Sequence, residues 1–224
     1  MAENRGQLLP VYILADESAS MRSYESELNA GLTSLNETLR SEPMIAAKIR
    51  LSVIGFSATV VPRMVLADLR SMETVPRLQI RSSTNYRAAF DDLLRRIPAD
   101  VGTLKNAGFS VHRPAVFFLS DGQSDDGRWR NPHRRLTDRT VTAAAPNIIA
   151  FGIGTVQSKT ILEVATQPAF AFVAIPGSNI GTAISKFFVA LTASVVQSGQ
   201  SLASAAPQLV VEHPEGFRLA IDVV

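Results

Sequence analysis

The chain has 224 residues, 46% of them hydrophobic and 19% charged, and a formal net charge of +2. That length suits one α/β domain with a full core, and the composition excludes wholesale disorder. A nearly neutral balance leaves no footprint for nucleic acid, and a chain without cysteine has no disulfide, thiolate zinc site or cysteine nucleophile. The start, 1–6, is short and polar with no signal-like apolar region. No apolar run reaches the roughly 18 residues of a membrane span, so a cytoplasmic domain is expected.

The expected organisation is a tail at 1–7, one domain at 8–201 and an extension at 202–224. Leu8 to Ala15 is an almost unbroken apolar run, as in a strand buried on both faces of a parallel sheet. Asp16 follows at its carboxyl end, where open α/β sheets place their ligands. Ser23 can cap a helix to about Arg40, with Leu28, Leu32, Leu35 and Leu39 in one stripe. Pro43 ends it. Lys48 to Phe56 reads as a second strand and Thr59 to Val65 as a third. Pro62 has no N–H to give a central ladder, which puts the third strand at the sheet edge, antiparallel to the second.

The stretch 67–81 reads as a crossing loop, followed by a helix from Asn85 to Ile97. A buried strand, Pro114 to Ser120, ends in Asp121-Gly122. A polar stretch runs from Gln123 to Asp138, then a short helix to Ala145 and a strand from Asn147 to Ile153. Ile161 to Ala165 is a small helix, Ala169 to Ile175 a final parallel strand, and Ile180 to Val196 an amphipathic helix. Past Gln197 a flexible joint leads to Gln208–Glu212 and Phe217–Val223, which flank His-Pro-Glu-Gly as a candidate hairpin. This tail has three open roles: packing on the domain, extending a sheet edge, or self-association. The alternation implies an α/β fold with a mostly parallel sheet, one antiparallel edge strand and helices on both faces. Right-handed crossovers then bring Asp16, Thr84 and Asp121 to one edge.

Asp16, Ser18 and Ser20 offer one carboxylate and two hydroxyls on a single turn of loop. These are hard oxygen donors, suited to Mg²⁺, Mn²⁺ or Ca²⁺ and poorly to zinc or copper. With Thr84 at a helix start and Asp121-Gly122 after a buried strand, the set resembles the metal-ion-dependent adhesion site of von Willebrand factor A (VWA) domains, over about Leu8 to Ser201. Within that superfamily the chain is similar to bacterial tellurium-resistance proteins of the TerY type. The similarity lies in Leu9–Asp16, Leu51–Phe56, Phe118–Gln123, Asn147–Gly152 and Ala193–Ser198.

The resemblance implies a three-layer, Rossmann-like VWA fold and a non-catalytic domain. It implies that Ser18 and Ser20 touch the metal directly, Thr84 directly or through water, and Asp16 and Asp121 often through waters. A cation held by two carboxylates and neutral hydroxyls stays electrophilic, so an acidic residue of a partner can complete its shell. Mg²⁺ is the expected ion. Stress response with a kinase or phosphatase partner is the implied setting; local charge and the apolar runs lead separately to an expectation of neither nucleic acid nor membrane as partner. The alternative is an adaptor subunit of such an assembly, or of an AAA-type ATPase, with a degenerate metal site.

Three departures stand out. Ala19 replaces a usual glycine, which is tolerable at negative φ and strained at positive φ. Ser82-Ser83 replaces a glycine pair. Glu17 is expected to point into solvent, or else to add a third negative charge at the metal. Asp125 and Asp126 read as a solvated loop. Arg128, Trp129, Arg130, Arg134 and Arg135 form either a surface for an acidic or phosphorylated partner or a charged loop with one half-buried Trp. His112, His133 and His213 are dispersed, and there is no nucleophile elbow or phosphate-cradling loop. A phosphoester-processing enzyme is therefore the weakest reading.

Overall fold

A computed structural model describes residues 5–72, 74–122 and 127–223. Asp125 and Asp126 lie outside the described residues. The first strand, β1 (Gln7–Asp16), is buried almost throughout. It pairs in parallel with β2 (Ile49–Phe56) on one side and β5 (Ala115–Ser120) on the other. The two-residue β4 (Ser110–Val111) pairs with the start of β1. Outward from β5 come β6 (Asn147–Gly152) and β7 (Ala171–Ala174), both parallel. β3 (Val60–Ala67) lies antiparallel against β2 at the sheet edge, as Pro62 requires.

The period-two alternation of β1 divides the interior. Val11, Ile13 and Ala15 face α1 (Glu25–Ser41) and α6 (Ile180–Ser201), while Tyr12 and Leu14 face α3 (Tyr86–Asn106), α4 (Arg130–Thr137) and α5 (Ser158–Val164). The two helices of the first layer meet closely. A Cβ on Gly31 of α1 would lie 2.0 Å from the Phe188 ring of α6, so glycine is what allows their contact. This is a three-layer α/β fold, mostly parallel, with helices on both faces.

Several expectations are corrected. α1 begins at Glu25, after a 3₁₀ segment over Ala19–Tyr24, so Ser23 is not its cap. A short helix, α2 (Pro43–Ala46), follows the Pro43 stop. α3 continues through Pro98 to Asn106, because Leu93, Ile97, Val101 and Leu104 prolong its buried stripe past the proline. The helix expected before β6 lies earlier, as α4, inside the polar stretch. There Pro132 and Leu136 give it a buried side, and the residues after Asp138 form turns.

α6 extends to Ser201, through the region expected to be a flexible joint. By length and composition it is also apolar enough to cross a membrane, because small residues fill the spaces between its bulky ones. Half of that window is buried in this fold. The candidate hairpin does not form. Residues 208–212 instead run along α6, with the Val210 N–H donating to Ser198 Oγ at 2.9 Å and the Glu212 N–H to Ser194 Oγ at 2.9 Å. Serine hydroxyls on the helix thus satisfy backbone groups that a partner strand would otherwise take. β8 (Phe217–Leu219) adds antiparallel to β7, making a second antiparallel edge.

Candidate metal centre

Asp16 ends β1 and Asp121 follows β5, its neighbour, so the register Ala15↔Leu119 sets Asp16 beside Ser120. The site rises from a buried floor to an open lip. Asp16 is 0% exposed, Ser18 3% and Asp121 6%, while Ser20 is exposed and Thr84 partly so. Asp16 takes the Ser18 N–H on Oδ1 at 2.9 Å and the Ser120 hydroxyl on Oδ2 at 2.5 Å. Ser20 Oγ donates to Asp121 Oδ1 at 2.8 Å and lies 3.0 Å from Ser18 Oγ.

Thr84 reaches the same place. A Cβ on Gly122 would sit 3.1 Å from Thr84 Oγ1, so the glycine after Asp121 lets the two loops close on each other. The Thr84 hydroxyl has no hydrogen-bond partner among the described residues. Tyr86 donates its hydroxyl to the Gly122 carbonyl at 2.7 Å and holds that loop from below. Hydrogen bonds thus draw Asp16, Ser18, Ser20 and Asp121 together, directly or through Ser120, and Thr84 lies against the Gly122 that follows Asp121. Ser120 was missed as a contributor, although the adjacency of β1 and β5 placed a hydroxyl opposite Asp16.

The electrostatics are lopsided. Burial pushes the Asp16 carboxyl up to about 6, against the pull of its hydrogen bonds from Ser120 and Ser18. Burial also raises Asp121, against its bond from Ser20. Among the described residues, neither carboxylate has a Lys or Arg partner. Two buried acids and three hydroxyls, without imidazole or thiolate, are a donor set that fits a hard divalent cation. Among the described residues no three His, Cys, Asp or Glu side chains cluster.

Ala19 is free of the feared strain, since Leu66 is the described non-glycine residue with positive φ. Glu17 corrects both of its expected roles. It is 0% exposed and turned away from the site, with Arg63 donating from Nε to Oε1 at 3.0 Å and from Nη2 to Oε2 at 2.9 Å. The Gln79 N–H adds a third bond at 2.9 Å. With the Arg81 N–H on the Glu17 carbonyl and the Ala19 N–H on the Ser82 carbonyl, both at 2.7 Å, this ties the segment leading to Thr84 onto the end of β1. No local pattern announces Arg63, which lies on another strand.

In the arginine-rich stretch, Trp129 is buried at 3% exposure, with its ring centroid 5.9 Å from Tyr86 and 5.7 Å from Phe90. Arg130 lies over that ring and pairs with Glu163, while Arg134 and Arg135 are exposed. The three histidines stay apart: His112 bonds Gln7, His133 bonds the Val164 carbonyl, and His213 packs on Phe172.

The architecture is that of von Willebrand factor A domains. Among solved structures similar to it is proximal thread matrix protein 1 from the mussel byssus with a zinc-occupied MIDAS motif, at TM-score 0.58 and 17% identity over 87% of this chain. The pilus adhesin SpaC from Lactobacillus rhamnosus GG, in its open conformation, gives TM-score 0.60 at 8% identity over 88% of this chain. A von Willebrand factor type A structure from Catenulispora acidiphila gives 0.52 at 11% over 85%. The chain spans about half (49%) of the mussel protein, 31% of the adhesin and 43% of the third chain. No protein-family model matches the chain, and neither does any curated protein.

Proposed function

We propose that this domain binds one divalent cation through Asp16, Ser18, Ser20, Thr84 and Asp121, and through it docks an acidic residue of a protein partner. The observation that carries the reading is a pair of buried carboxylates, Asp16 and Asp121, joined by hydroxyls and left without a basic partner among the described residues. The zinc-occupied MIDAS of the mussel protein, on a similar fold, supports divalent binding. The hard oxygen set favours Mg²⁺ over zinc. The role is one of interaction and not turnover. A tellurium-resistance or stress-response setting, with a kinase or phosphatase as partner, rests on the resemblance to TerY-type proteins alone.

Thermal melts in chelator and in MgCl₂ test the reading. At a hundredfold excess over Kd, a bound ion adds about 2.7 kcal/mol of stability by mass action. The wild type should show that rise, and Asp16→Ala and Asp121→Ala should not. Equal melting of the wild type with Mg²⁺, Mn²⁺ and chelator would falsify it. Pull-downs with and without chelator then identify the partner.

A further inference from the structure

A cleft of about 310 Å³ opens at the carboxyl edge of the sheet, one loop away from the candidate metal centre. Its walls are the loops after β6 and β7, the first turn of α6, and Arg218 of β8. The two sites share a boundary. A Cβ on Gly154, in the β6 loop, would sit 3.5 Å from Asp121 Cβ, and Thr155 Oγ1 donates to the Asp121 carbonyl at 3.3 Å.

Arg218 is the one charged side chain lining this cleft. Pairing opposite Val173, which also lines it, fixes the face from which the guanidinium enters. Its Nε is buried with no hydrogen-bond partner, and among the described residues its side chain has no ion pair. That sets it apart from Arg50, Arg63, Arg96 and Arg130, each of which has a carboxylate. Nε itself is sealed off, so an anion in the cleft meets the rest of the guanidinium, on a side chain that stays partly exposed and has no carboxylate of its own among the described residues. The positive end of the α6 dipole lies on the same side, at Ile180.

We propose that the cleft is a subsite for a small oxyanion, a carboxylate or phosphate group that forks onto Arg218. The planar guanidinium matches both groups in geometry, and a cleft of this size holds a few heavy atoms beyond the anionic head. The anion has two sources: a free small molecule, or an acidic side chain of a protein lying across the sheet edge. The subsite stands apart from the metal reading, since no residue is shared by the two.

The test is run in chelator, so that no divalent ion takes part, at ionic strength matched with NaCl. Wild type, Asp16→Ala, Arg218→Lys and Arg218→Met are melted against inorganic phosphate and, separately, against an acetylated Asp-Glu-Asp-Glu peptide. Wild type and Asp16→Ala should show a saturable rise with at least one probe. Arg218→Met should bind at least tenfold more weakly, with Arg218→Lys between them. A tighter peptide points to a protein side chain as the source and tighter phosphate to a free anion, and each supports the subsite. In the wild type, the stronger probe should move the amide resonances of Gly154 and Gly177 and leave Gly31 in place. An equal response in Arg218→Met, no saturable response to either probe, or resonance shifts elsewhere would overturn the proposal. Failure of the Mg²⁺ melts would leave these outcomes untouched.

Discussion

Asp16 and Glu17 are neighbours in the chain and both are 0% exposed, yet the two sides of β1 treat them differently. On the side of β2 and β3, Glu17 meets Arg63 in a two-pronged pair and accepts a backbone N–H as well. On the side of β5, Asp16 meets only hydroxyls and a backbone N–H, and burial drives its pKa up to about 6. One acid has its counter-charge built into the fold. The other keeps a deficit that an ion from solution can fill. Equal burial thus leaves two neighbouring acids in different electrostatic states, and the identity of the partner decides which.

That contrast can be broken by substitution. Glu17→Ala leaves Arg63, itself 14% exposed, without its acid. Breaking a buried pair in this way costs about 3–5 kcal/mol. The loss should appear in denaturant midpoints with and without metal. Asp16→Ala should cost the metal-free protein far less, because it removes an uncompensated charge. Equal losses from the two would erase the distinction.

A smaller effect should come from Gly55→Ala. The new Cβ would lie 2.1 Å from Glu17 Cδ, so the carboxylate must leave its place over β2. Overpacking of this kind costs about 1–3 kcal/mol. Because the displaced pair anchors the segment before Thr84, Mg²⁺ affinity should fall together with stability. Calorimetric titration beside chemical denaturation reads both.

The smallest effect sharpens the comparison with a third solution, neutrality. His133 packs against Phe90 and Trp129 and donates Nε2–H to the Val164 carbonyl at 2.8 Å. Burial pushes its imidazole below the ordinary 6.5. The unfolded chain therefore takes up a proton before the folded one does, and stability falls as pH drops below about 6.5. In His133→Gln the slope of stability between pH 5 and pH 7 should be shallower than in the wild type. An unchanged slope would show that another group, such as His112, whose pKa burial also lowers, carries the effect.

Much of this was legible in the sequence for stated reasons. The unbroken apolar run of β1 announced a strand buried on both faces. Pro62 announced an edge, and the carboxyl ends of β1 and β5 announced where the donors meet. Other features were hidden because their causes are not local. Glu17 is explained by Arg63, which is 46 positions away, and by the missing Cβ of Gly55. Residues 208–212 have a strand-like pattern, yet the serine hydroxyls of α6 satisfy them in place of a partner strand. The expected end of α3 at Ile97 falls short because the buried stripe continues through Val101 and Leu104, past Pro98.

The two rims of the sheet carry one last implication. At one, β3 places Pro62, which has no N–H, opposite Ile54. At the other, β8 is only three residues long and turns at once into a 3₁₀ segment. Pro62 and the register shifts interrupt the ladder at the first rim, and the second rim is short. Copies of this domain are thereby discouraged from zipping together through their backbones. Loops and helix faces, and not strand edges, are then the surfaces open to a partner.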